Sequence, residues 1–243
     1  MFPKPSYTLR QVTPHGFLVE CPEAYDLAML FARCEEYYES PYPEINGKPF
    51  QFVELMHRYV HDTTDQKPMY NRHGEKVGKL FVYPWLWTGF NLPGKVIEEC
   101  LATVPDWNFY DETMKDIVTK IRQKTNTFYL IGVKSGDNET FEHELAHVLF
   151  ATNPIYRRTM ERMVNRLPVR DLIFRVLRKE KYGEDHMVDE TQAYLATPSE
   201  RNHRPSQPSG VLPSGLENYC KPFRKVFRQW TKNAPVLLKQ FVV

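Results

Sequence analysis

Long apolar runs are missing from this chain. No stretch approaches the ~18 apolar residues that a membrane span requires. The start, Met1-Phe2-Pro3-Lys4-Pro5, has no apolar h-region of a secretory signal. An excess of one charge is missing too. The 32 Lys and Arg stand against 30 Asp and Glu, and a formal net charge of +2 argues for no particular partner. Cysteine is sparse. Cys21, Cys34, Cys100 and Cys220 form no Cys-x-x-Cys pair, and they read as reduced core thiols. No internal repeat is visible. These absences lead us to expect a soluble, cytoplasmic protein without a membrane segment.

The 243 residues suffice for one large domain or two small ones with a sizeable core. Within them the most informative stretch is Phe141-Glu142-His143-Glu144-Leu145-Ala146-His147-Val148-Leu149-Phe150, which contains an H-E-x-x-H pattern. On a helix, residues four apart share a face, so His143 and His147 can hold one metal ion. Glu144 lies about 100° round from His143, which sets its carboxylate beside the metal as a proton acceptor for an activated water. Phe141, Leu145, Val148 and Leu149 form an apolar stripe on the side away from the histidines. Asp137 or Asn138 supplies an N-cap, and Asn153-Pro154 ends this helix and starts the next.

Elsewhere the pattern predicts a strand over 16–20 and helices over 23–38 and 50–61. Phe52, Leu55, Met56 and Tyr59 fall on one side of the second helix. Its His57 and His61 repeat the four-residue spacing, but Arg58 follows the first, and a solvated face is the better reading. Residues 62–78 read as a loop or hairpin tip. The aromatic stretch 80–90 reads as core, with a substrate cleft as the alternative. A short helix over 93–103, a longer one over 111–124 and a strand over 127–133 follow. Helices over 154–166 and from Pro168 onward carry nine Lys/Arg against three Asp/Glu between Arg157 and Lys181. We expect a solvated amphipathic pair there rather than a nucleic-acid footprint. Leu172, Ile173, Val176 and Leu177 are assigned to its inside. Residues 198–215, rich in Pro and Ser, read as a loop, and a basic helix closes the chain over 221–232.

A catalytic zinc site has three protein ligands and one open position, so a third ligand is needed. Glu190, in Met187-Val188-Asp189-Glu190-Thr191-Gln192-Ala193-Tyr194-Leu195, is the best candidate. It shares a helix face with small Ala193, with His186 and with Thr197. His186 is read as an alternative ligand, a hydrogen-bond donor to the transition state, or a surface residue. Asp189 is expected as an exposed helical acid, its alternative being a carboxylate that orients a metal-bound histidine.

A strand, a short turn, the His143-Glu144-Leu145-Ala146-His147 helix and a downstream Glu190 helix together resemble the zincin metallopeptidases over residues 111–197. The resemblance is to the gluzincin type. It lacks an Asn-Glu-x-x-Ser-Asp sequence around Glu190 and the third histidine of metzincins after His147. The resemblance implies an α+β fold, with a small sheet packed on an active-site helix and a helical C-terminal part. It also implies Zn2+ held by His143, His147 and Glu190, with Glu144 as general base. Substrate backbone would lie along strand 127–133, and His186 or Tyr194 would donate to the oxyanion. The expected organisation is an N-terminal lobe over 1–110, a catalytic core over 111–197, and a loop plus basic helix over 198–243. The expected function is zinc-dependent hydrolysis of a peptide or protein substrate. The rival from another class is a non-catalytic binding protein on the same scaffold.

Overall fold

The computed structural model describes residues 4–61, 69–70, 76–77, 81, 83–180, 182–197, 215–233 and 240–241. Most of the expected loops over 62–78 and 198–215 lie outside them, as do the side chains of His61, Trp85 and Leu86. The chain forms two compact units. One comprises residues 1–9, 18–136 and 241–243, and the other residues 10–17 and 137–240.

The first unit is mixed α and β. Strands β1 (Thr8–Gln11) and β2 (Gly16–Cys21) are joined by a tight turn in which Val12 N donates to Gly16 O at 2.9 Å. Then come α1 (Ala24–Glu39), α2 (Phe52–His61), β3 (Met69–Tyr70), β4 (Lys76–Val77), α3 (Tyr83–Leu86), β5 (Gly89–Pro93), α4 (Gly94–Ala102), α5 (Phe109–Arg122) and β6 (Tyr129–Lys134). The short β3 and β4 pair antiparallel, in keeping with a hairpin within 62–78. With β7 (Gln240–Phe241), the main sheet has the order β5-β6-β2-β1-β7. β5 and β6 run antiparallel, from Gly89 opposite Val133 to Pro93 opposite Tyr129.

Helix α1 is the centre of this unit. It contacts α3, α4, α5, β5 and β6, and it is buried from Leu27 to Cys34 without a break. A helix apolar on nearly every side belongs inside a domain. Phe31 stacks on Phe90 of β5 with ring centroids 5.1 Å apart. The ring also presses on β6, where a Cβ at Gly132 would collide with Phe31 Cε2 and Cζ. Phe31 is fully buried. Gly132→Ala is therefore expected to cost about 1–3 kcal/mol through overpacking, read as a fall in the urea midpoint.

Three expectations change here. Met56 is exposed while Phe52, Leu55 and Tyr59 are buried, because it sits at the rim of a narrow stripe. β6 lies between β5 and β2, so both of its backbone edges are taken and no substrate strand can pair along it. Its run Leu130–Val133 is buried throughout, as an interior strand requires. Finally, the division of the chain falls after Gly136 rather than at residue 110. The β5–β6 ladder and the contacts of α5 with α1 and α4 hold residues 111–136 in the first unit. Among the described residues of the aromatic stretch, Tyr83 and Phe90 are core and Trp87 is exposed.

Among its described residues, the second unit's regular structure is helical apart from the β1–β2 hairpin and Gln240 of β7. It contains α6 (Asn138–Thr152), α7 (Pro154–Asn165), α8 (Arg170–Lys179), α9 (Met187–Ala196) and α10 (Glu217–Asn233). Helix α9 is its hub and contacts the other four. Leu172 is exposed, since the buried stripe of α8 centres on Ile173 and Leu177, some 100° away. The last helix begins at Glu217, not 221, and carries Pro222 within it. Buried Leu216 and Cys220 anchor the extra turn. All four cysteines are buried and free, and no helix among the described residues is long and apolar enough to cross a membrane.

Candidate metal centre

Helix α6 is fixed at both ends by its own sequence. Asp137 caps it, its Oδ1 accepting from Thr140 N at 3.2 Å. At the other end Asn153 Oδ1 accepts from Ile155 N and Tyr156 N to start α7. Arg157 of α7 turns back and donates to the carbonyls of Phe150 and Ala151, which end α6 without helical partners. Between these ends, residues 144–149 are all buried. On the side carrying the histidines, His147 is buried and His143 is half-buried.

His143, His147 and Glu190 converge. Each offers a ligand atom, and these atoms all lie within 4.8 Å of one another. The two Nε2 atoms are 3.2 Å apart. Glu190 brings Oε1 to 3.7 Å from His147 Nε2 and Oε2 to 4.0 Å from His143 Nε2. Ligands at tetrahedral corners around zinc, with bonds of 2.0–2.1 Å, stand about 3.3 Å apart, so the three side chains lie near enough that one ion could be held between them. Two imidazoles and one carboxylate also form a donor set that leaves a fourth position open. No other such group of three occurs among the described residues, and His57 is exposed.

The far nitrogen of each ring is occupied. His147 Nδ1 lies 3.0 Å from Asp189 Oδ1, and His143 Nδ1 is 3.5 Å from Thr197 Oγ1. Asp189 is therefore not the exposed acid expected, because α9 packs against α6 and turns that carboxylate inward. Asp189 is held in turn by Gln192, whose Nε2 donates to it at 3.0 Å and to Ala146 O at 3.3 Å. Gln192 Oε1 accepts from Tyr156 of α7 at 2.8 Å. A hydrogen-bonded line from α7 through α9 thus sets the angle of the His147 ring.

Burial lowers the basicity of both imidazoles. At His143, the charge of His147 adds to that effect and its pKa falls well below the usual value. At His147, the carboxylates of Asp189, Glu190 and Glu144 outweigh burial and raise the pKa to about 10. Those carboxylates favour the imidazolium form of His147, which donates Nδ1–H to Asp189. Metal binding at neutral pH should release about one proton, and affinity should rise with pH up to about 10. Calorimetric enthalpies that vary with the ionisation heat of the buffer would register it. Asp189→Asn should weaken metal binding about 10–100-fold while leaving all three ligands in place.

Glu144 is buried beside the pair, and its carboxylate raises the pKa of His147, Tyr182 and Tyr194. Tyr194 lies against His143, with ring centroids 4.7 Å apart, and its hydroxyl is 3.1 Å from that of Tyr182. Burial, reinforced by Glu190, pushes both phenols far up, so both keep their protons. His186 immediately precedes α9, half-exposed, its Nε2 3.5 Å from Asp185 Oδ2. Tyr182, Gln192 and Tyr156 carry no sequence signal of their own. Only the packing of α7 and α9 brings them to the site.

Comparison with known proteins found no matching family model, no matching curated protein and no matching solved structure.

Proposed function

We propose that this chain is a zinc-dependent peptide hydrolase with Glu144 as its general base. The observation that carries this proposal is the convergence of His143, His147 and Glu190, with Glu144 on the same helix as the two histidines. A bound zinc ion would supply a water of pKa near 7 and a Lewis acid for the scissile carbonyl. Glu144 takes a proton from the attacking water and passes it to the leaving amine. Its burial among protein groups, away from bulk solvent, suits a proton carrier. Tyr194 offers an O–H donor to the developing oxyanion, with Tyr182 fixing its direction, and His186 is the second candidate for that role. Asp189 and Thr197 hold the two imidazoles in the tautomer that leaves Nε2 for the metal.

The test combines elemental analysis with a peptide-library screen. The expected result is about one zinc per chain, cleavage lost on chelation and restored by zinc, and both lost in Glu190→Ala. A wild type that binds no metal when zinc is supplied would sink the site. A zinc-loaded wild type that cleaves no peptide would sink the hydrolase and favour a binding role on the same scaffold.

A further inference from the structure

Helix α10 carries five cations between Lys221 and Lys232, and its only acid is Glu217 in the first turn. At 3.6 residues per turn, Lys221, Lys225, Arg228 and Lys232 fall within an arc of about 60° and follow one another over about 16 Å. All four are exposed, and among the described residues none is held in an ion pair. The other side of the helix, with Cys220, Phe223 and Phe227, is buried, and α10 packs on α9.

A face made only for solvent usually mixes charges of both signs, since like charges three or four residues apart disfavour the helix. Other helices of this chain follow that rule. On α5, exposed Glu112, Lys115 and Asp116 alternate in sign. On α8, Arg170 pairs with Asp171 and Arg178 with Glu184. Helix α10 instead keeps four like charges in one row, with no acid after Glu217.

What meets such a row must carry negative charge at close and regular spacing. A nucleic-acid duplex has about one negative charge per 1.7 Å of its axis. An extended peptide offers at most one per residue, or one per roughly 3.3 Å. A lipid surface takes up the apolar side of an amphipathic helix, and here that side is already buried. Among the described residues no large apolar side chain of α10 is exposed, so the face has no ring on which unpaired bases could stack.

We infer that the exposed face of α10 docks on the phosphate backbone of a nucleic-acid duplex through Lys221, Lys225, Arg228 and Lys232, without reading base sequence. A net charge of +2 draws no polyanion by itself, so the row is what holds the duplex. This surface does not depend on the metal centre.

The test follows the fluorescence anisotropy of a labelled mixed-sequence DNA duplex titrated with the whole, zinc-free chain at a series of salt concentrations. Four phosphate contacts predict that log K falls against log salt with a slope of about −3 to −4. A duplex of different base composition should bind equally well. Replacing Lys221, Lys225, Arg228 and Lys232 together by Gln should weaken binding about 10–100-fold and take about one off the slope for each cation removed. The control replaces Lys48, Lys95, Lys115 and Lys134 by Gln, all exposed in the first unit, with the same change in net charge. It should keep its affinity within about threefold. Circular dichroism checks that both variants fold, and Lys225→Gln and Arg228→Gln alone should each remove about one from the slope. The inference is overturned by a wild-type slope shallower than about −1, by an α10 variant that binds as tightly as the wild type, or by a control that loses as much. Tighter binding to phosphatidylserine vesicles or to polyglutamate at the same ionic strength also overturns it, and assigns the face to lipid or to an acidic protein. No zinc is added and no cleavage is read, so its failure is distinct from a failure of the hydrolase.

Discussion

Glu144→Gln protein is expected to hold zinc as the wild type does while losing about 10²–10⁴-fold in peptide hydrolysis. The two halves of this outcome have separate causes. Glu144 is not one of the three converging ligands, so the ion keeps its His143, His147 and Glu190 donors. Gln has nearly the shape of Glu, so the buried position stays filled. What disappears is a carboxylate able to accept a proton and return it. An amide cannot do this at any pH at which the protein is folded. The substitution also removes negative charge that acts on His147, Tyr182 and Tyr194. A modest rise in zinc affinity would be surprising, since that charge favours a cation. Substantial turnover by this variant, measured with zinc content checked on the same sample, would remove Glu144 from the reaction.

How much of this site was legible in the sequence follows from the range of the signals. His143, Glu144 and His147 are bound by local periodicity. One helix of 3.6 residues per turn fixes their relation, and Asp137 and Asn153 mark its ends. Glu190 lies 43 positions beyond His147. Its candidacy rests on the need of such a site for a third ligand and on the small neighbour, Ala193, that its helix offers. Asp189 escaped because the sequence cannot say which way α9 rolls against α6. A rotation of about 100° separates an exposed acid from a histidine partner. The strand expected over 127–133 forms as Tyr129–Lys134, but its role is not legible. Whether a strand is an edge or an interior one depends on β2 and β5, which are distant in the chain.

The same limit hides a buried polar lock of the first unit, and its removal is the second large effect we expect. Arg33 stands in the fully buried middle of α1, where the sequence pattern shows only an interruption of an apolar run. Its guanidinium makes four hydrogen bonds and a further ion pair. Nε and Nη2 bond the two carboxylate oxygens of Asp111 at 2.9 and 3.0 Å. Nη1 donates to Phe50 O at 2.8 Å and pairs with Asp106 Oδ1 at 3.1 Å, and Nη2 also donates to Asp106 O at 3.0 Å. The group lies 5.2 Å from the centroid of the Phe52 ring. Asp111 has a second task, accepting from Asn108 N in the capping box that starts α5. One arginine therefore ties together α1, the segment entering α2, and the start of α5. Arg33→Met would fill much of the volume but leave the Asp111 carboxylate buried without its counter-charge. The expected loss is about 3–5 kcal/mol, seen as a large fall in the urea midpoint by circular dichroism. Removing both charges, in Arg33→Met with Asp111→Leu, should restore part of that loss, because no uncompensated buried charge then remains. A double variant as unstable as the sum of the single ones would mean that the bonds to Phe50 and Asp106, and the cap at Asn108, matter more than the ion pair.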